Sequence, residues 1–116
     1  MEPIKLLPVY FFQETSGSEP VKKWLHELSD KDRKTIGKHI RVLQIDWPVG
    51  SPLVKPLGKK LWELRISLDN RIARIIFIFN DGTIVLLHGF IKKTQKTPLN
   101  DLEVALKRAK KSQGEI

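Results

Sequence analysis

The segment that most constrains the fold is residues 72–79, which is apolar at every position except Arg74. A strand with apolar residues on both faces is typical of the centre of a sheet, where both sides are covered. Asn80-Asp81-Gly82 follows it and is a strong hairpin signal. The pattern therefore predicts three consecutive strands over residues 61–91, with a cation inside the middle one.

Length and composition limit the rest of the chain. Its 116 residues are enough for one domain with one core, so we expect a single domain over residues 1–116. There is no cysteine, which excludes disulfides and thiolate metal sites. No apolar run approaches the roughly 18 residues of a membrane span, and the start lacks the charged and small-residue features of a signal peptide. A cytoplasmic protein with no membrane partner is the expectation.

The first half predicts one strand and two helices. An aromatic run at residues 6–13 indicates a strand, and Pro8 restricts it to an edge or a strand start. Two segments with apolar residues at helical spacing follow, the first after Ser18 and the second after Ser29. Both serines are suitable N-caps. So short a connection between two helices predicts an antiparallel helical hairpin.

The second half is predicted to contain a loop, the three strands and a last helix. Residues 48–58 hold three prolines and two glycines, a composition typical of a loop. Thr97-Pro98 is predicted to cap the last helix. The expected fold is α+β in the order β-α-α-β-β-β-α: an antiparallel sheet with an N-terminal helical hairpin on one face and a C-terminal helix. The opposite face is predicted to be partly open.

Positive charge is concentrated on the predicted sheet. The net charge is +8, and residues 55–96 carry nine Lys or Arg against three acids, which leaves +6 there. A concentrated positive field is typical of a surface that binds nucleic acid or an acidic protein partner.

A family resemblance appears in the same region. The segments LWELR, RIARIIFIF and LLHGFIKKTQKTP, followed by a terminal helix, resemble the RelE superfamily of bacterial toxins, in particular its phage-derived and HigB-like branch. The likeness covers most of the chain in element order and is densest at residues 57–108. It implies a toxin–antitoxin system in which the toxin cuts mRNA on the ribosome. It also implies a cognate acidic antitoxin that carries a helix-turn-helix DNA-binding domain.

Charged side chains on and just after the predicted strands could support metal-free RNA cleavage. That reaction needs a base for the ribose 2′-hydroxyl, cations for the phosphorane charge and an acid for the leaving oxygen. The resemblance implies basic residues at four positions, which are occupied here by Arg65, Arg74, Lys92 and Lys93. Glu63 and His88 are candidates for the general base. The candidate catalytic residues are Glu63, Arg65, Arg74, His88, Lys92 and Lys93.

A second group is predicted to bind RNA without taking part in the chemistry: Lys59, Lys60, Arg71, Phe90 and Lys96. Some members of the family have a tyrosine near the C-terminus, whereas Tyr10 is the only tyrosine here, so Phe90 is the candidate for base stacking. His26 and His39 are assigned no chemistry. No metal-ligand spacing and no phosphate-binding glycine loop occurs, so neither metal nor cofactor is predicted.

Other interpretations stay open at this point. Glu63 and Arg65 could form an ordinary cross-strand ion pair, and His88 could be a half-buried histidine with satisfied hydrogen bonds. A ParE-like toxin would have the same fold and would bind DNA gyrase without catalysis. A phage-derived relative could also bind nucleic acid without any activity.

Overall fold

In the computed structural model, which describes residues 5–92 and 96–113, five strands form one sheet and three helices pack on it. The strand order in the sheet is β1-β5-β4-β3-β2. The α+β class is confirmed. The elements are β1 (Val9–Phe11), α1 (Pro20–His26), α2 (Asp30–Asp46), β2 (Val54–Gly58), β3 (Leu61–Leu68), β4 (Arg71–Asn80), β5 (Thr83–Lys92) and α3 (Leu99–Ser112).

The predicted element order was wrong because the segment taken as a loop contains β2. Val54 is buried and pairs with Leu64, so this segment extends the sheet beyond β3. Pro56 is compatible with the strand because β2 is at the sheet edge, where a missing backbone N–H is tolerated. The register shifts between Pro56 and Gly58.

The sheet is mixed, so the prediction of an antiparallel sheet was also wrong. Strand β1 runs parallel to β5, with Val9 opposite Ile84, and the other pairs of neighbouring strands are antiparallel. Two backbone bonds extend this parallel pair: Ile84 N donates to Pro8 O and Phe12 N donates to Leu86 O, each at 2.9 Å. Proline lacks the donor but keeps its carbonyl, so it can border this edge strand.

The predicted N-terminal helical hairpin does not occur. The described chain enters the fold through β1, and the two helices lie between β1 and β2. Each helix packs mainly on the sheet, α1 over β5 and β1 and α2 over β3. The predicted cap at Ser18 was wrong, since Glu19 is the N-cap of α1, whereas Ser29 Oγ accepts from Asp32 N at 3.2 Å and caps α2.

Alternation along β4 separates the core into two layers. Ala73, Ile75 and Phe77 face α1 and α2, on what we call the first face of the sheet. The second face carries Ile76 and Ile78, which pack beneath α3. Residues 73–78 are all buried, which confirms the predicted central strand. Helix α3 therefore covers part of the face that was predicted to be open. No helix within the described ranges has the length and apolar character needed to cross a bilayer.

Gly89 gives a test of this packing. A Cβ placed there would lie 2.4 Å from Cε3 of Trp24, on the ring that α1 packs against β5. We expect Gly89→Ala to lower the free energy of unfolding by about 1–3 kcal/mol, as overpacking does in other cores. Urea unfolding followed by circular dichroism measures the change.

Gly37→Ala is the matched control. Gly37 lies within α2, is exposed, and has nothing within 4 Å of the position that a Cβ would occupy. Alanine is favoured over glycine inside a helix by about 1 kcal/mol, so this variant should be as stable as the parent or more stable. Equal effects at both glycines would contradict the packing assigned to Trp24.

Candidate active site on the second face of the sheet

The strand register places most of the predicted site on the second face. Arg65 pairs directly with Arg74, and Arg74 pairs with Phe90, so these three form one row across β3, β4 and β5. Residues directly opposite each other in a ladder project to the same side. The neighbouring rows are Ser67–Ile72–Lys92 and Glu63–Ile76–His88, also on the second face.

A buried carboxylate joins the two arginines. Glu63 Oε1 lies 3.8 Å from Arg65 Nε and 3.9 Å from Arg74 Nη1. Glu63 Oε2 accepts a hydrogen bond from Thr97 Oγ1 at 2.6 Å. The carboxylate offsets the repulsion between two cations at directly opposed positions.

The side chains of the cluster Glu63, Arg65 and Arg74 differ in their exposure to solvent. The side chains of Arg74 and Glu63 are 0% and 1% exposed, whereas that of Arg65 is 22% exposed. Burial of an ion pair requires close charge compensation, because each ion loses its hydration. In this arrangement Arg65 is the member of the cluster that an external phosphate can reach, and Glu63 and Arg74 lie behind it.

His88 belongs to a different network, which connects β5 to α3. Its Nε2 lies 2.6 Å from Asp101 Oδ1, and its Nδ1 lies 3.3 Å from Arg108 Nη1. Arginine only donates, so Nδ1 is the acceptor and Nε2 donates its hydrogen to Asp101. Arg108 Nη1 also donates to Leu87 O at 2.8 Å. Both ring nitrogens therefore have hydrogen-bond partners, as in the interpretation of His88 as a half-buried histidine with satisfied hydrogen bonds. The ring also stacks on Phe90, with 5.4 Å between the ring centroids.

Lys92 and Lys96 come together at the start of α3. They line a cleft of about 480 Å³ with Thr97, Pro98 and Leu99. Lys92 is next to the arginine row, because it lies opposite Ile72 and one row away from Arg74. Lys93 lies outside the described residues.

Lys59 and Lys60 lie at the other end of the second face. They form the turn between β2 and β3 with φ angles of 53° and 66°, and both are exposed. A cleft of about 400 Å³ lies between them and the C-terminal turn of α3, including Lys110. At about 3.3 Å per residue, Lys60 is roughly 17 Å along the strand from Arg65, so these lysines are separate from the arginine row.

Arg71 does not join the site. It lies on the first face, where its Nη2 donates to Asp32 Oδ2 at 2.8 Å. Beside it, a hydrogen bond of 2.8 Å from Lys31 to Asp69 lowers the pKa of the Asp69 carboxyl. Arg71 therefore attaches the sheet to the first turn of α2.

The positions of Thr97 and His39 differ from those predicted from the sequence. Thr97 was predicted to cap α3, but the N-cap is Pro98 and the Thr97 hydroxyl binds Glu63 instead. His39 was assigned no chemistry, yet it lines a cleft with Arg65. The Thr97–Glu63 hydrogen bond and the cleft at His39 both involve residues far apart in the chain, so no local pattern indicates them. Among residues 5–92 and 96–113, no three His, Asp or Glu side chains are grouped to hold a metal ion.

The buried pair gives a stability prediction. Removing one partner of a buried ion pair leaves the other charge uncompensated, which typically costs about 3–5 kcal/mol. We expect Arg74→Ala to lower the free energy of unfolding by about this amount, and Arg65→Ala to lower it less, because Arg65 is partly exposed. Urea unfolding at neutral pH compares them.

A double-mutant cycle with Arg74→Met and Glu63→Gln is the control. The double variant removes both charges, so its loss should be smaller than the sum of the two single losses. Strictly additive losses would show that the two side chains do not compensate each other.

A family model matches most of the chain. The model of the family described as "Phage derived protein Gp49-like (DUF891)" matches residues 23–110, which span the chain from within α1 to the last turns of α3. No curated protein matches the chain. The family is associated with RelE-like toxins. The matched segment is most of the chain and contains the whole arginine row, so the protein belongs to the Gp49-like phage-derived family.

Proposed function

We propose that this protein is the toxin of a type II toxin–antitoxin system, in the HigB-like branch of the RelE superfamily, and that it cuts mRNA on the ribosome. The observation that carries the proposal is the cross-strand row Arg65–Arg74–Phe90, with Lys92 in the next row. The partly exposed Arg65 can bind phosphate and the ring of Phe90 can stack on a base, so this row has the chemistry needed for a nucleotide.

The arrangement is suited to cleavage without a metal. In such a reaction the ribose 2′-hydroxyl attacks the adjacent phosphate, and negative charge builds up on the phosphorane oxygens. Arginine suits that charge, because its planar fork binds two oxygens and stays protonated. Arg65 is placed to meet the phosphate, and Arg74 and Glu63 fix its orientation from behind. Lys92 and Lys96 add positive charge beside the row.

The proposed partners follow from family and charge. Gp49-like proteins occur typically in toxin–antitoxin pairs. A chain with a net charge of +8 attracts an acidic protein and the ribosome by the same long-range field. We therefore propose a cognate acidic antitoxin that carries a helix-turn-helix domain and neutralises the cationic second face.

Induction of the protein alone tests the proposal. We expect growth arrest in which protein synthesis stops before DNA synthesis, because the proposed target is mRNA on ribosomes. Primer extension on a defined message, translated with purified protein, should show new 5′ ends within the reading frame. Early replication arrest with DNA breaks and no cut message would instead support a ParE-like toxin that acts on gyrase.

A second prediction distinguishes lysines that attract the ribosome at long range from a lysine that contributes to the cleavage step. Lys59→Gln with Lys60→Gln should weaken association with ribosomes, mainly at low salt, because exposed charges are screened beyond about 8 Å at physiological ionic strength. The turnover of bound complexes should hardly change. Lys92→Gln should lower turnover at saturating substrate, because Lys92 lies next to the arginine row. Single-turnover assays on preformed ribosome–mRNA complexes measure both rates, and a pure affinity loss in Lys92→Gln would remove Lys92 from the site.

A further inference from the structure

A cleft at the open edge of β3 brings a histidine to the arginine row. Strand β2 stops pairing with β3 at Leu64, and beyond it Arg65 N donates to Leu53 O at 2.8 Å. The cleft that forms there has a volume of about 320 Å³, at the lower end of the range for ligand sites. Its lining residues are His39, Pro52, Leu53, Arg65, Ser67 and Ile72.

The hydrogen bonding of His39 fixes its tautomer. Nδ1 lies 2.9 Å from the carbonyl oxygen of Thr35, one turn earlier in α2. A carbonyl only accepts, so Nδ1 carries the hydrogen and Nε2 of the neutral ring has a free lone pair. Within the described residues Nε2 makes no hydrogen bond. The neutral imidazole thus keeps the lone pair of Nε2 available to accept a proton, as a general base requires.

The other side chains of the cleft suit a ribonucleotide. Arg65 supplies a cation, Ser67 an exposed hydroxyl, and Leu53 and Ile72 an apolar surface. Arg65 is also the partly exposed residue of the Glu63–Arg65–Arg74 group, and it lines this cleft.

The two base candidates predicted from sequence are poorly placed for that role. Glu63 is 1% exposed and its carboxylate is held by Thr97 and two arginines. His88 has both ring nitrogens engaged, by Asp101 and Arg108. A general base must reach the proton that it removes, within about 2.6–3.2 Å or through one water molecule.

The geometry points to His39 as the general base of the cleavage reaction, with the nucleotide on the 5′ side of the cut bound in the cleft that His39 shares with Arg65. This inference rests on the proposed function and names the base for it. Nε2 of His39 takes the proton of the 2′-hydroxyl while that oxygen bonds to phosphorus and the bond to the 5′-oxygen breaks. The 5′-oxygen takes a proton from water, and the hydroxide formed takes the proton from the imidazolium. The products are a 2′,3′-cyclic phosphate and a 5′-hydroxyl.

His39→Asn tests the assignment in the full-length protein on preformed ribosome–mRNA complexes. Asparagine can still donate to the Thr35 carbonyl, but it has no basic nitrogen. We expect the single-turnover rate to fall by about 10²- to 10⁴-fold, the usual contribution of general acid–base catalysis. Affinity for the ribosome and the urea midpoint of unfolding should match those of the parent. His26→Asn, an exposed histidine on α1, is the matched control and should cut at the parental rate.

Other results would contradict either the role of His39 or the proposed function. If the parent cuts and His39→Asn cuts at close to the parental rate, His39 is not the base and the proposed function is unaffected. A variant that loses only affinity or only stability also overturns the assignment, since a base acts on the chemical step. If the parent itself cuts no message, the proposed function fails and the role of His39 fails with it.

Discussion

The contact on which the second face depends is the Glu63 carboxylate between two arginines. Arg65 and Arg74 occupy directly opposed positions in a ladder, where like charges repel, and Glu63 lies in the adjoining row within 4 Å of both. A guanidinium with no exposed surface would be strongly unfavourable without such compensation. The carboxylate thus permits a cation inside the sheet and leaves Arg65 partly exposed at the surface.

The same carboxylate links the sheet to the last helix. Thr97 immediately precedes the N-cap of α3, and its hydroxyl binds the oxygen of Glu63 that does not face the arginines. Farther along, Asp101 and Arg108 hold α3 to His88 on β5. These polar contacts therefore reach both ends of the row Glu63–Ile76–His88, and Ala105 and Ala109 of α3 pack on the apolar layer of the second face. The position of α3 and the orientation of the arginines are coupled, because Glu63 contacts both.

Structural features that depend on a few neighbouring residues were predicted from the sequence, and features that depend on contacts between distant segments were not. The buried β4 strand, the Asn-Asp-Gly turn and the Ser29 cap were predicted correctly, since propensity and capping act over a few residues. Strand β2 was missed because residues 48–58, which contain it, are rich in proline and glycine like a loop, whereas pairing with β3 orders β2 as a strand. The parallel β1–β5 pair and the cleft at His39 join distant parts of the chain, which no periodicity encodes. Alternation did predict that Glu63 and Arg65 share a face of β3 and that His88 and Lys92 share a face of β5, because side-chain direction within a strand follows from parity. The register between the strands, which brings both pairs to the second face, was not predictable from parity.

The two edge strands determine how this sheet behaves towards other copies of itself. A long apolar strand such as β4 is a template for aggregation when its edges are open, and here it is enclosed by β3 and β5. The outermost strands are short, three residues in β1 and five in β2. Pro8 precedes the first and Pro56 lies within the second, and proline cannot donate to an incoming strand. The sheet can therefore carry a strongly apolar centre while offering little backbone for growth at either side.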